Sequence, residues 1–311
     1  MTTARNVLLV LAALLGGCST DQYARMLVQP DTSWGKVNEA IMASSDQLVR
    51  DPINRITSAP RFTTSDGIEI DVWVLAASMP EVAAPTRGTL LIVHGLGDSK
   101  VGYLRLAQAM SKRGLHVVLV DLRAHGRSTG DTVTYGALEK HDLKGVMDAL
   151  YANKTVAGPL YVFGPGMGGS IAILYAAMDE RVRGVVAIAP DKDLESAAQR
   201  FFSAKAIFLS AEQLQEVIAR AGEIGRFPES EASAVAAAAQ LRAPLLVMHG
   251  GADVVVPRSD SEAILTAAAG PRELAILPMV GHVGAMFGQE SVVAAAIERV
   301  IDGKIGTPPG Q

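Results

Sequence analysis

The 311-residue chain carries 28 Lys and Arg against 32 Asp and Glu, a formal net charge of −4, and holds no basic cluster. That balance leaves nothing to neutralise a phosphate backbone, so nucleic acid is excluded as a partner. Apolar residues make up 49% and charged residues 19%, which suits a folded domain and confines disorder to the ends. The six histidines are scattered, without HExxH or Cys/His ligand spacing, and imply no metal site.

Met1 to Asn6 carries one positive charge, Arg5, and Val7 to Leu15 is an unbroken apolar run closed by Gly16-Gly17-Cys18. Nine apolar residues are about half of what a membrane-spanning helix needs. A short apolar core with small residues after it is the pattern of a secretory signal. Leu15-Gly16-Gly17-Cys18 resembles a bacterial lipobox, which implies cleavage before Cys18 and acylation of that residue. Cys18 is the single cysteine of the chain. Several acyl chains would hold the protein stably, since one alone binds only marginally. Ser19 rather than Asp follows the cysteine, which by the same resemblance implies the outer membrane in a Gram-negative source. An ordinary signal peptide with a chance cysteine is the alternative. The expected organisation is signal peptide 1–17, tether and N-terminal helix 18–60, an α/β domain 61–302 with a lid at about 191–242, and a frayed tail 303–311.

Within residues 18–60, Trp34, Val37, Ile41, Leu48 and Val49 suggest one helix near 34–49. Arg61 to Leu75 reads as a β-hairpin turning at Asp66-Gly67. From Thr89 the chain alternates. Continuous apolar runs at 90–93, 117–120, 160–163, 185–188, 245–248 and 274–277 are the signature of strands buried on both faces. Helical segments are expected near 104–113, 139–151, 168–178, 259–269 and 291–301, giving an α/β fold: a mostly parallel, doubly wound sheet with helices on both faces. Functional groups should then lie in loops at the carboxyl ends of the strands. Asp191 to Arg242 interrupts the alternation by about fifty residues, far beyond a usual crossover. It is helical by pattern and holds four of the seven phenylalanines, Phe201, Phe202, Phe208 and Phe227. This suggests a helical lid, although core packing uses the same residues.

Four strand-end loops carry chemistry-bearing residues: His94-Gly95-Leu96-Gly97, Gly164-Pro165-Gly166-Met167-Gly168-Gly169, Asp253 within Gly250 to Pro257, and Gly281-His282. With the run Asp121-x-Arg123-x-His125-Gly126-x-Ser128, this resembles the α/β-hydrolase family over roughly residues 61–300. The likeness is closest to its monoacylglycerol-lipase-like and serine-aminopeptidase-like members. The resemblance implies a tight strand-to-helix elbow with flanking glycines, here Gly164 and Gly168, and the chain order nucleophile, acid, histidine. Asp253 would orient His282 as general base, and the backbone N–H groups of Leu96 and Met167 would form an oxyanion hole. The nucleophile position, however, is Gly166, which has no Oγ to acylate.

Ser170, one turn beyond, should face the packing, and Ser99 reads as a loop hydrogen-bonder. His94, His125 and His249 read as loop-shaping groups, and Asp253 could be a plain turn former. Three readings stay open. The chain is a binding or structural protein without serine-hydrolase chemistry, or an ester or acyl hydrolase using the Asp253–His282 dyad with water or another serine. In the third, it is an inactivated variant of an ordinary serine hydrolase. The ligand class is a small-molecule or lipid-like acyl compound, the membrane is reached through Cys18, and no cofactor is implied.

Overall fold

The computed structural model describes residues 19–30, 45–78, 86–282, 284 and 289–306. The signal segment, Cys18, the residues Trp34, Val37 and Ile41, and the tail from residue 307 lie outside the described residues.

One mixed sheet organises the rest. Its strands are β1 (Ile56–Ser58), β2 (Arg61–Thr63), β3 (Glu69–Leu75), β4 (Gly88–Val93), β5 (Leu115–Val120), β6 (Leu160–Pro165), β7 (Val182–Ile188), β8 (Leu245–Gly250) and β9 (Arg272–Leu277). They run in the order β1-β3-β5-β4-β6-β7-β8-β9, with β2 paired to β3. The pairs from β5 through β9 are parallel, while β3 is antiparallel to β5. The predicted hairpin is the β2–β3 pair, with Phe62 opposite Ile70.

The apolar runs are continuous because alternate residues feed two cores. Leu91, Val93, Val118, Val120, Val162, Val185 and Val247 face one side. Leu90, Ile92, Val117, Leu119, Phe163, Val186 and Leu246 face the other. This is the period-2 geometry of a strand with helices on both faces. The first core is covered by helices α1 (Thr20–Val28), α4 (Glu139–Ala152), α5 (Met167–Met178), α6 (Leu194–Ser203), α7 (Ala211–Gly225), α8 (Ala234–Ala238) and α9 (Arg258–Ala267). The second is covered by α3 (Leu104–Ser111) and α10 (Glu290–Ile301), with Leu48 and Val49 of α2 (Ser45–Arg50) at its margin.

Two segments differ from the expectation. Residues 20–28 are a docked helix where the pattern suggests a tether. Ala24, Leu27 and Val28 are fully buried, and the two larger side chains bring about 1.5–3 kcal/mol each from burial. Tyr135 Oη donates to Leu27 O at 3.0 Å, and Val133 N–H donates to Val28 O at 2.7 Å. The signal was present in sequence, because Ser19 and Gln22 form a capping box, the S-x-x-Q start of a helix. At the other end, Ile305 is buried and Arg272 N–H donates to Gly306 O at 3.2 Å, so residues 303–306 are held to β9 rather than frayed. The long insertion contains α6, α7 and α8. Three of its four phenylalanines are packed in the first core, and Phe208 is 83% exposed.

Candidate active site

Strand β6 passes into helix α5 through the single residue Gly166, at φ 52° and ψ −126°. Side chains rarely adopt this region, and a glycine adopts it without strain. Its N–H donates to Ile188 O at 2.8 Å, and its carbonyl accepts from Gly169 and Ser170. The flanking glycines are required sterically. A Cβ on Gly164 would lie 2.3 Å from Gly168 O, and one on Gly168 would lie 2.3 Å from Val93 O and 2.4 Å from His94 O. The first turn of α5 therefore presses against the end of β4, the strand from which the Leu96 loop leaves. Among the described residues, neither the Leu96 nor the Met167 N–H has a protein acceptor. Donors of this kind, at a strand end and a helix start, can stabilise a developing oxyanion.

Ser170 is not at the tip of the turn. It is buried, and its hydroxyl donates to Asp191 O at 2.8 Å. That bond ties α5 to the start of the helical insertion, where Arg200 clamps the Asp191 carboxylate with two 2.8 Å bonds. Ser99 is likewise buried, and its N–H is held by Asp98.

Two strands along from β6, the loop after β8 holds Asp253. One carboxylate oxygen accepts from the N–H groups of Val255 and Val256, at 2.8 and 3.0 Å. The other meets His282 Nδ1 at 2.8 Å. The Asp253 side chain is fully buried and that of His282 is 12% exposed. The two loops abut: Ala252 N–H donates to Val280 O, and a Cβ on Gly250 would lie 2.4 Å from that same oxygen. His282 Nε2 has no partner among the described residues. With Nδ1–H on the carboxylate, Nε2 of the neutral ring is a free proton acceptor. His249 stands behind, its rings of contacts closed by Ser261 Oγ at 2.8 Å and Val256 O at 3.2 Å. Burial holds its pKa below the ordinary histidine value.

A second polar cluster lies at the same edge, beyond β4. Asp121 accepts from the backbone N–H of Lys100 at 2.9 Å and of Arg127 at 2.8 Å, and its carboxylate also pairs with Lys100 Nζ. Lys100 reaches Asp71 at 2.6 Å and lies 4.9 Å over the Trp73 ring. His94 Nε2 accepts from Leu122 N–H at 3.0 Å, and His125 Nε2 accepts from Gly97 N–H at 3.1 Å. An accepting Nε2 puts each proton on Nδ1, which meets Gly95 O and Arg123 O respectively. Burial first, then the neighbouring imidazole, pushes His125 down to about 4, and burial lowers His94. Gly126 leaves room for this arrangement, since a Cβ there would fall 2.2 Å from the Asp121 carboxylate. The run 121–128 is thus a clamp that fixes the Leu96 loop through Gly97. Sequence alone gives no sign of Lys100. Among the described residues, no cluster of His, Cys, Asp and Glu could hold a metal ion.

Known proteins resemble this chain in sequence and in fold. Residues 84–217 match the family model described as serine aminopeptidase, S33. An uncharacterized protein, YqkD of Bacillus subtilis, is 34% identical over 91 residues, which cover 29% of this chain and 30% of that protein. A monoacylglycerol lipase of Mycolicibacterium smegmatis is 26% identical over 246 residues, covering 68% of this chain and 85% of the lipase. Among solved structures, the Pyrococcus furiosus esterase Pf2001 superposes with a TM-score of 0.62 at 22% identity, covering 80% of this chain and 94% of the esterase. The chain has the α/β-hydrolase fold, and its segment 84–217 is similar to the serine aminopeptidase S33 family.

Proposed function

We propose that this chain is a lipid-anchored protein of esterase and lipase ancestry that binds an acyl ligand and has lost acyl-enzyme chemistry. The observation that carries the reading is Gly166 at the tip of the elbow, with the nearest serine, Ser170, turned away onto Asp191 O. No hydroxyl is left to attack a carbonyl from that position. The esterase and monoacylglycerol lipase likenesses favour an acyl ester or its carboxylate as the bound group. The anchor is Cys18, exported and acylated, in the outer membrane if the source is Gram-negative.

The test is a fluorophosphonate probe on the purified protein and on Gly166→Ser. The native chain is expected to stay unlabelled, and the serine variant to label and to cleave short or long acyl esters. Labelling of the native chain that vanishes on replacing another serine overturns the reading. A serine variant that neither labels nor cleaves esters leaves a binding protein without an esterase-competent site.

A second reading is favoured by one feature, the 2.8 Å bond between Asp253 and His282 with Nε2 unoccupied. In the space where a serine side chain would stand, a water held by Nε2 would attack a bound ester directly, giving slow hydrolysis from the dyad and the oxyanion donors. Turnover by the native chain that His282→Ala leaves unchanged sinks it.

A further inference from the structure

We infer that the chain rests directly on the phospholipid leaflet that holds its lipid anchor, with the face formed by α1 and the α6–α7 connection turned to the headgroups. The inference rests on the acylation of Cys18. Its structural basis is the docked helix α1.

A tether over residues 19–60 would let the body drift more than about 100 Å from the bilayer. No such length is available. Ser19, the residue after Cys18, is already the cap of α1, its hydroxyl accepting from Gln22 N–H and its own N–H held by Gln22 Oε1 at 2.7 Å. The acylated residue is one peptide, about 3.8 Å between Cα atoms, from the folded body. The helix itself is fixed. Leu27 and Val28 are fully buried, the Tyr23 ring meets Phe202 edge-on at 5.7 Å, and Arg220 of α7 pairs with Asp21 at 2.7 Å.

The surface beside that anchor suits a headgroup layer. Tyr23 lies one turn from Ser19, and Phe202 accepts from Ile207 N–H at 2.9 Å. The C-terminal end of α6, from which the connection 204–210 leaves, therefore lies against α1. The connection presents Phe208 with 83% of its surface exposed. An exposed aromatic next to acyl chains is an interfacial anchor. The exposed ion pairs of α1 and α7, among Asp21, Arg25, Arg220 and Glu223, are of both signs. These pairs carry no net charge, so they give no preference for anionic lipid.

The experiment uses the full chain, exported and processed, in phosphatidylcholine vesicles. Cys18 is blocked by its lipid, so a fluorophore goes on Lys205→Cys beside Phe208 or, separately, on Val292→Cys of α10 across the sheet. Lipids carrying a headgroup-level quencher should remove about half of the emission at 205 and about a tenth or less at 292, as a surface-bound face requires. A Gly-Ser segment of roughly 20 residues between Cys18 and Ser19, with a mean reach of about 25 Å, should abolish the difference. Equal quenching at both sites in acylated native protein overturns this inference alone. Absence of palmitate from the native chain, judged against Cys18→Ser, overturns the lipoprotein reading and this inference with it.

Discussion

Two clusters of histidine and carboxylate stand along the same edge of the sheet, built from the same residue types, and they differ in what they leave open. Around Asp121, His94 and His125, each ring nitrogen and each carboxylate oxygen is committed to a backbone group or to Lys100. Around Asp253, the carboxylate is filled, but His282 Nε2 is left free among the described residues. A closed cluster can only hold shape, because any new bond must displace an old one. An open one can take or give a proton. The difference teaches that residue type and position at a strand end do not mark reactive chemistry; a spare valence does.

The largest expected effect lies in the closed cluster. Asp121→Ala strands Lys100, whose side chain is fully buried, with Asp71 as its remaining carboxylate partner, and deprives the Lys100 and Arg127 N–H groups of their acceptor. Breaking a buried charge pair from one side costs about 3–5 kcal/mol. Urea unfolding should show that loss. A change near zero would mean that this cluster is no more structural than the dyad.

Next comes pH. His125 takes its proton near 6.5 when unfolded and at about 4 when folded. Between those values the unfolded state binds more protons, so stability is complete above 6.5 and falls as pH drops toward 4. The gap corresponds to about 3 kcal/mol. His94, lowered in the same direction, adds to the loss. Urea midpoints at pH 7.5, 5.5 and 4.5 should decline accordingly, and His125→Gln should flatten the slope. An unchanged slope would show that the imidazole is solvated and the cluster open after all.

How much of this the sequence carries differs between the clusters for a physical reason. The sheet was legible because strands buried on both faces leave continuous apolar runs, as in Leu90 to Val93. Asp253 and His282 were legible because each follows such a run, Asp253 just past Gly250-Gly251 and His282 directly after Gly281. Gly166 was legible as a residue, and its positive φ followed from the tight turn between β6 and α5. Lys100 was hidden, because nothing local says that a lysine four residues past Leu96 will be buried against one carboxylate on β3 and another just past the end of β5. Helix α1 announces its start through Ser19 and Gln22, but its docking is hidden for a related reason. Its fully buried face is only Ala24, Leu27 and Val28, and Phe202, the partner of Tyr23, is far along the chain. Long-range burial decides both, and periodicity within one segment carries no record of it.

The smallest expected effect on stability is in the open cluster, and it comes with the largest effect on reactivity. His282→Ala removes one bond to Asp253 from a ring that is partly exposed, while the Val255 and Val256 N–H groups keep their carboxylate oxygen. A single hydrogen bond of this kind contributes about 1 kcal/mol, so the unfolding midpoint should move little. Made in the Gly166→Ser chain, the same change should lower ester turnover by about 10⁶-fold, the loss that follows when a triad loses its base. Kinetics and unfolding on the two backgrounds therefore separate the clusters along independent axes. Should His282→Ala cost as much stability as Asp121→Ala, the dyad would be a second clamp, and the free Nε2 would carry no argument for chemistry.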